Sequence, residues 1–299
     1  MTETQPTMGV TVGKPLPMSV GKSGTKPTWC PGCGDYGVVA AVERALKALG
    51  IPSHEVLIVS GIGCSSNLPH FLSSYGFHTI HGRSLPVASG AKLANHSLTV
   101  IATGGDGDGY GIGGGHFIHA MRRNLDITYV VMNNEIYGLT TGQASPTSEM
   151  GHKTKSTPLG VIERPVNPVA LALAAGATYV SRGFSGDVKH LGELIQNGIK
   201  HRGFSLVDVL SPCVTYNKLN TFDYFRQRLY KLEGAGHDPH NLVSGFEKAQ
   251  EWGQKIPIGL FYQVEHPTYE DLEPALKVGP LVHQKSGLKG REALLDEFL

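Results

Sequence analysis

The chain has 299 residues, 40% of them apolar and 39 of them glycine, and carries a formal net charge of +1. That length accommodates one large or two modest α/β cores, and the composition is that of a turn-rich globular protein, not a disordered one. Balanced charge without a basic stripe excludes a nucleic-acid-binding surface. The longest apolar stretch, around Pro168–Val180, is too short and too rich in alanine and glycine to span a membrane. No charged start followed by an apolar core marks a secretory signal, so a cytoplasmic protein is expected.

Residues 1–26, rich in Thr, Gly, Pro and Lys and without apolar periodicity, predict a mobile arm. Trp29-Cys30-Pro31-Gly32-Cys33-Gly34 then opens the folded part as a tight turn that can present two sulfurs to one metal centre. Val38–Leu49 has helical periodicity and stops at Gly50. Val56–Ser60 predicts a strand, and Cys64 follows it in a Gly61-Ile62-Gly63-Cys64-Ser65-Ser66 loop. His81-Gly82-Arg83 reads as a short strand leading into a helix start that runs through Gly90 to Lys92. Arg83 and Lys92 are candidate partners for a phosphate or a carboxylate.

Leu98 to Gln143 organises the rest. Leu98–Ala102 and Ile127–Met132 are short, β-branched runs of the kind found in buried parallel strands. Gly104–Gly115 and a helical His116–Arg123 lie between them, which makes a βαβ unit. Both strand ends then share one sheet edge, where open α/β sheets bind ligands. Asp106 follows the first strand and Asn134 the second, so two hard oxygen donors converge beside a glycine-rich turn. Mg²⁺ bound to a diphosphate wants such donors, and glycines let backbone N–H groups approach phosphate. Gly105-Asp106-Gly107, followed after about twenty-five residues by Asn133-Asn134, resembles the thiamine-diphosphate signature, in which the Asp, the second Asn and a carbonyl two residues on, here Ile136, hold Mg²⁺. Gly109-x-Gly111-x-x-Gly114 also matches a dinucleotide fingerprint, a weaker signal on its own.

Gly142-Gln143-Ala144-Ser145-Pro146-Thr147 and the polar run to Pro158 predict a substrate or partner loop. Pro168–Gly176 and Val188–Lys200 predict helices, and Ala177–Ser181 and Phe204–Leu210 strands, with Cys213 just beyond the last. After Cys213, Phe222–Leu232 and His240–Trp252 are helix candidates, Ile256–Val264 an edge strand, and Gly290–Leu299 a terminal amphipathic helix. Residues 27–215 are thus expected to form the α/β domain, a mostly parallel sheet with helices on both faces. Residues 216–299 are expected to be an extension wrapping it or a partner subunit.

Only four cysteines occur, Cys30, Cys33, Cys64 and Cys213. In a reducing compartment they are metal ligands or buried thiols before they are disulfides. Structural zinc sites usually use two local pairs, whereas this scattered set has to be assembled by the whole fold and matches the count for a [4Fe–4S] cluster. Spacing alone leaves zinc open.

Taken together, Cys30-Pro31-Gly32-Cys33-Gly34, Gly61-Ile62-Gly63-Cys64-Ser65-Ser66, His81-Gly82-Arg83, Gly105-Asp106-Gly107-Asp108, Asn134-Glu135-Ile136-Tyr137-Gly138, Gly142–Thr147, Cys213 and Ile256-Pro257-Ile258-Gly259 resemble, in order and spacing, the β subunits of 2-oxoacid:ferredoxin oxidoreductases, especially the 2-oxoglutarate (KorB-like) branch. The resemblance implies that Cys30, Cys33, Cys64 and Cys213 ligate a [4Fe–4S] cluster and that Asp106, Asn134 and the Ile136 carbonyl bind Mg²⁺. It implies that Ile62, Gly63, Cys64, Ser65, Gly90, Ala91, Lys92, Leu93, Gly105, Gly107, Asp108, Gly138 and Leu139 line thiamine diphosphate. Cys64, Leu139, Asn67 and Thr141 would stand nearest the reacting atoms. Some relatives carry a lysine or arginine in place of Asn67, and a lysine in place of Thr141, near the expected substrate carboxylate, so these departures bear on which 2-oxoacid is used. The implied reaction is oxidative decarboxylation of a 2-oxoacid, with coenzyme A taking the acyl group, electrons leaving to ferredoxin, and a separate α subunit needed for activity. Rival readings are a pyruvate or broad-specificity enzyme, a non-redox thiamine enzyme, a nicotinamide-binding subunit with structural zinc, and a non-catalytic scaffold.

Overall fold

A computed structural model describes residues 17–284. The expected helix Gly290–Leu299 and the first sixteen residues of the expected arm lie outside the described residues. Within the arm, Val20 is fully buried and the backbone pairs with the stretch after Phe71, Ser23 N donating to Phe71 O. Val20 and this backbone pairing together tie the segment down.

Helix α1 (Asp35–Leu49) starts directly behind the Cys30–Cys33 turn and ends at Gly50, whose φ of 65° is the left-handed stop that glycine accepts without strain. Strand β1 (Val56–Ser60) leads through a 3-10 stretch, Cys64–Phe71, to β2 (Tyr75–His78). The strand therefore precedes His81-Gly82-Arg83. Those three residues form instead the turn into α2 (Ser84–Ala94), where Gly82 has a φ of 71°.

The next unit is β3 (Thr99–Gly105), a wide π turn (Gly107–Ile112), α3 (Gly114–Arg123) and β4 (Thr128–Asn133). Strand β3 runs three residues past the expected Ala102, because Thr103, Gly104 and Gly105 still pair with β4. A long loop leads to α4 (Pro168–Ala174), where Asn167 caps the helix by accepting from Ala170 N and Pro168 occupies the first turn. Strand β5 (Tyr179–Phe184), α5 (Val188–Lys200) and β6 (Ser205–Leu210) follow, then α6 (Phe222–Arg226), β7 (Leu229–Lys231), α7 (Leu242–Ala249), β8 (Ile256–Gln263) and α8 (Tyr269–Leu272).

The eight strands form one sheet in the order β2-β1-β3-β4-β6-β5-β8-β7. All neighbours are parallel except β5 and β8. Two expectations change here. Strand β8 is not an edge, since it is hydrogen-bonded to β5 on one side and β7 on the other. The expected helix Phe222–Leu232 stops at Arg226 so that Leu229–Lys231 can supply that edge strand; Phe225 packs with Phe184, Leu210, Ile256 and Ile258 in a small core of its own.

Alternation along β4 builds the two main cores. Tyr129 and Val131 face α3, against Phe117 and Met121, while Val130 and Met132 face α1, against Val38 and Leu46. Each such fully buried side chain contributes about 1.5–3 kcal/mol. Helices on both faces keep the central strands β4, β6 and β5 buried along their whole length, the buried Arg182–Asp208 pair included.

Candidate active site at the strand ends

Strands β1, β3, β4 and β6 are consecutive in the sheet and parallel, so their carboxyl ends lie side by side. The residues that follow them are, respectively, Gly61–Ser65, Asp106, Asn134 and Ser211–Cys213. A cleft at this edge is lined by Ile62–Ser65, Gly105–Asp108, Asn134, Ile136 and Gly138–Thr140, and also by His81, Met132 and Tyr137.

Asp106 sits at the floor, 2% exposed. Burial pushes its carboxyl up from 3.8 to about 6, against hydrogen bonds from Ser145 and Thr147 that favour the ionised form. The Thr147 hydroxyl donates to Asp106 Oδ2 at 2.6 Å, with Asn133 Oδ1 3.0 Å from it. Asn134 Oδ1 accepts from Ile136 N at 3.2 Å, which fixes the corner where β4 ends. Asp108 has a different task. Its Oδ1 accepts from Ile62 N and Gly82 N at 2.9 and 2.8 Å and lies 3.2 Å from His81 Nδ1, tying three loops together.

The glycines are required by close approach. A Cβ on Gly107 would stand 2.1 Å from the Tyr137 ring, and one on Gly61 1.9 Å from Asp108 Oδ2. The Ser65 hydroxyl is buried without a protein partner. A recessed carboxylate held toward its protonated form by burial, a neighbouring amide oxygen, an orphan hydroxyl and a side-chain-free backbone at the start of a helical turn fit a cation with a bound diphosphate.

The four cysteines are free thiols at the same edge. A Cβ on Gly138 would be 3.6 Å from both Cys64 Sγ and Cys213 Sγ, so this glycine of the cleft wall packs close to two sulfurs. Three contacts bind the cysteine-bearing segments to one another: Trp29 Nε1 donates to Cys64 O at 2.7 Å, Gly34 N to Pro212 O at 3.1 Å, and the Ser211 hydroxyl to Asp35 Oδ1 at 2.8 Å. Burial, Asp35 and the neighbouring thiols raise Cys33 far above the usual range and push Cys64 up to about 12. Such thiols become ligands only when a metal centre supplies the compensating charge. Among the described residues, no three His, Cys, Asp or Glu side chains close around a single ion. Four thiols gathered at one sheet edge match in number the ligand set of a four-iron cluster.

Other expected site residues fall elsewhere. Lys92 is buried, its ammonium donating to Leu98 O and to Asp126 at the amino ends of β3 and β4. Gly90, Ala91 and Leu93 share that end of α2 and do not line the cleft, because a crossover helix runs back along the sheet away from the strands' carboxyl ends. Arg83 reaches only Gly82 O. Asn67 lies half-buried in the 3-10 stretch outside the cleft lining, and Thr141, with a φ of 75°, stands one residue beyond it. Conversely, His81 and Tyr137 line the cleft without being among the expected cofactor contacts, and Thr147, expected only as part of a substrate or partner loop, lies beneath it against Asp106. The clustered hydroxyls of Ser145-Pro146-Thr147 were the one available signal.

This geometry defines the class as a thiamine-diphosphate-binding α/β fold. Residues 53–209 match the family model described as "Thiamine pyrophosphate enzyme, C-terminal TPP binding domain", and residues 213–278 match the model for the C-terminal part of the pyruvate ferredoxin oxidoreductase β chain. The chain is 48% identical over 280 residues to the 2-oxoacid:ferredoxin oxidoreductase subunit beta of Saccharolobus solfataricus, covering 88% of this chain and 92% of that one. It is 48% identical over 199 residues to the 2-oxoglutarate oxidoreductase subunit KorB of Mycobacterium tuberculosis, covering 67% and 53%. A solved 2-oxoglutarate:ferredoxin oxidoreductase from Magnetococcus marinus, with 2-oxoglutarate, coenzyme A and succinyl-CoA bound, superposes with a TM-score of 0.84 at 42% identity, over 92% of this chain and 93% of that one. The chain belongs to the β subunits of the 2-oxoacid:ferredoxin oxidoreductases. Among the described residues no helix is long and apolar enough to cross a membrane.

Proposed function

We propose that this subunit, in the cytoplasm and together with an α subunit, carries out the coenzyme A-dependent oxidative decarboxylation of 2-oxoglutarate to succinyl-CoA and CO2, electrons passing through a [4Fe–4S] cluster to ferredoxin. The observation that carries it is the shared wall: Cys64 and Gly138 both line the cleft, and a Cβ on Gly138 would be 3.6 Å from the Cys64 and Cys213 sulfurs. A non-redox thiamine enzyme has no use for a sulfur cage against its cofactor.

When bound, thiamine diphosphate supplies the electron sink that lets the bond between the keto carbon and its carboxylate break. The chain's own residues position and compensate charge. Asp106, Asn134 and the Ile136 carbonyl would hold Mg²⁺, while Ser65 and the backbone of Gly63, Gly105 and Gly107 would receive the diphosphate. Cys30, Cys33, Cys64 and Cys213 would hold the cluster, kept in register by Asp35, Ser211 and Trp29. Leu139, 54% exposed on the cleft wall, is an apolar surface left for substrate or for the α subunit to cover.

The 2-oxoglutarate choice over pyruvate rests on similarity to the KorB chains and to the M. marinus enzyme. The test is anaerobic co-purification with the α subunit, quantifying iron, sulfide and thiamine, then coenzyme A-dependent reduction of a low-potential acceptor. The reading expects four irons per β subunit and faster turnover with 2-oxoglutarate than with pyruvate. Full turnover by iron-free protein, or activity confined to pyruvate, would overturn it.

A further inference from the structure

A dicarboxylic 2-oxoacid brings two carboxylates to the cleft. One leaves as CO2, and the other needs a cation that neither the cofactor nor its metal provides, since their charges already balance the diphosphate and Asp106. The cleft lining itself contains no lysine or arginine, and its one basic side chain, His81, has Nδ1 turned to within 3.2 Å of Asp108 Oδ1. A cation arrives from outside the lining. Lys155 Nζ donates to Thr141 Oγ1 at 2.6 Å, on the turn whose preceding residues, Gly138–Thr140, form the cleft wall.

This placement is built by the backbone. The turn is closed by Thr141 N donating to Gly138 O, Gly142 N to Tyr137 O and Tyr137 N to Gln143 O. The segment carrying the lysine is strapped onto it: Lys155 N donates to Gly142 O at 3.1 Å, and Ala144 N to Ser156 Oγ at 3.0 Å. Thr141 holds a left-handed φ of 75°, unusual for a β-branched residue. Its hydroxyl meets the ammonium one residue beyond the cleft wall. A neutral hydroxyl is a weak partner for an ammonium, and a carboxylate entering the cleft is a stronger one.

We infer that Lys155 is a specificity-determining residue, its ammonium receiving the distal carboxylate of a dicarboxylic 2-oxoacid at the cleft rim. The inference rests on the 2-oxoglutarate reading above. In the exposed state the lysine contributes little, but a charge-assisted bond sealed from water by bound substrate is worth about a factor of ten or more in affinity.

The experiment compares wild type, Lys155→Gln and Lys155→Arg in the full α–β complex, with 2-oxoglutarate and with 2-oxopentanoate, which has the same five carbons and no second carboxylate. For Lys155→Gln, KM for 2-oxoglutarate should rise about tenfold with kcat nearly unchanged. Calorimetric binding of 2-oxoglutarate to the complex loaded with an unreactive thiamine diphosphate analogue should weaken by the same factor. Constants for 2-oxopentanoate should stay within about twofold, and Lys155→Arg should restore most of the 2-oxoglutarate affinity. Equal losses on both substrates would make Lys155 a loop-packing residue, and no loss on either would place the recognising cation elsewhere; either overturns the inference while leaving the dicarboxylate reading standing. A wild-type complex that handles 2-oxopentanoate as well as 2-oxoglutarate would sink that reading, and the inference with it.

Discussion

Replacing Asp106 by asparagine separates the cofactor role proposed for this carboxylate from what it costs the fold. Burial moves its pKa from 3.8 to about 6 in the cofactor-free chain. Each unit is worth 1.36 kcal/mol, so keeping the group ionised at neutral pH costs about 3 kcal/mol. The folded pKa lies above the unfolded one, so the folded state binds the proton more tightly. Stability from this group is present below the unfolded value of 3.8, is lost as pH rises through about 6, and stays lost above it. Asparagine cannot ionise. Its amide N–H group needs an acceptor that the carboxylate did not, which returns about 1 kcal/mol of the gain. Cofactor-free Asp106→Asn is therefore expected to be about 2 kcal/mol more stable than wild type near pH 7.5, the margin vanishing near pH 4. Adding Mg²⁺ and thiamine diphosphate should reverse the order, because wild type gains about 2.7 kcal/mol at a hundred times Kd and the variant gains little. Denaturant unfolding of the full-length chain, with and without the cofactor pair at both pH values, reads all of this. A cofactor-free variant less stable than wild type at neutral pH, or one stabilised equally by Mg²⁺ and thiamine diphosphate, would refute the assignment.

Ser211→Ala removes the hydroxyl that donates to Asp35, a carboxyl that burial has already pushed up to about 6. A loss of about 1–3 kcal/mol is expected, larger above pH 6 than below pH 4 because only the ionised form misses the donor; unfolding at the two pH values, together with the rate of iron release to a chelator, checks it. Gly107→Ala forces a Cβ onto the Tyr137 ring. It should cost about 1–3 kcal/mol and weaken thiamine diphosphate binding, measured by melting with and without the cofactor. Serine at any one of Cys30, Cys33, Cys64 or Cys213 should strip the iron and the broad visible absorbance from anaerobically purified complex. Stabilisation by Mg²⁺ and thiamine diphosphate should survive in Cys30→Ser, whose sulfur is exposed and does not line the cleft, and its loss there would mean that the two sites are not separable.

Local chemistry was readable from the residues in order. The β-branched runs of β3 and β4, the Gly50 stop of α1, the spacing from Asp106 to Asn134 and a count of four cysteines all follow from a few neighbouring positions. Each depends on hydrophobic period, backbone freedom or donor type, and these act over one turn or one strand. Positions set by contacts between distant segments were not readable. Thr147 returns across 41 residues to bond Asp106, and Ser211 across 176 to bond Asp35. Lys92 looked like a phosphate partner until the run of α2 carried it to the opposite end of the sheet, and β8 looked like an edge until β7 paired with it. Above all, only the strand order placed β1, β3, β4 and β6 side by side. The sequence by itself determined that a stretch resembling the magnesium–diphosphate signature and a cysteine quartet are present. The tertiary structure decided that they share a wall, because adjacency across a sheet is fixed by which strands pair, and no single segment encodes that.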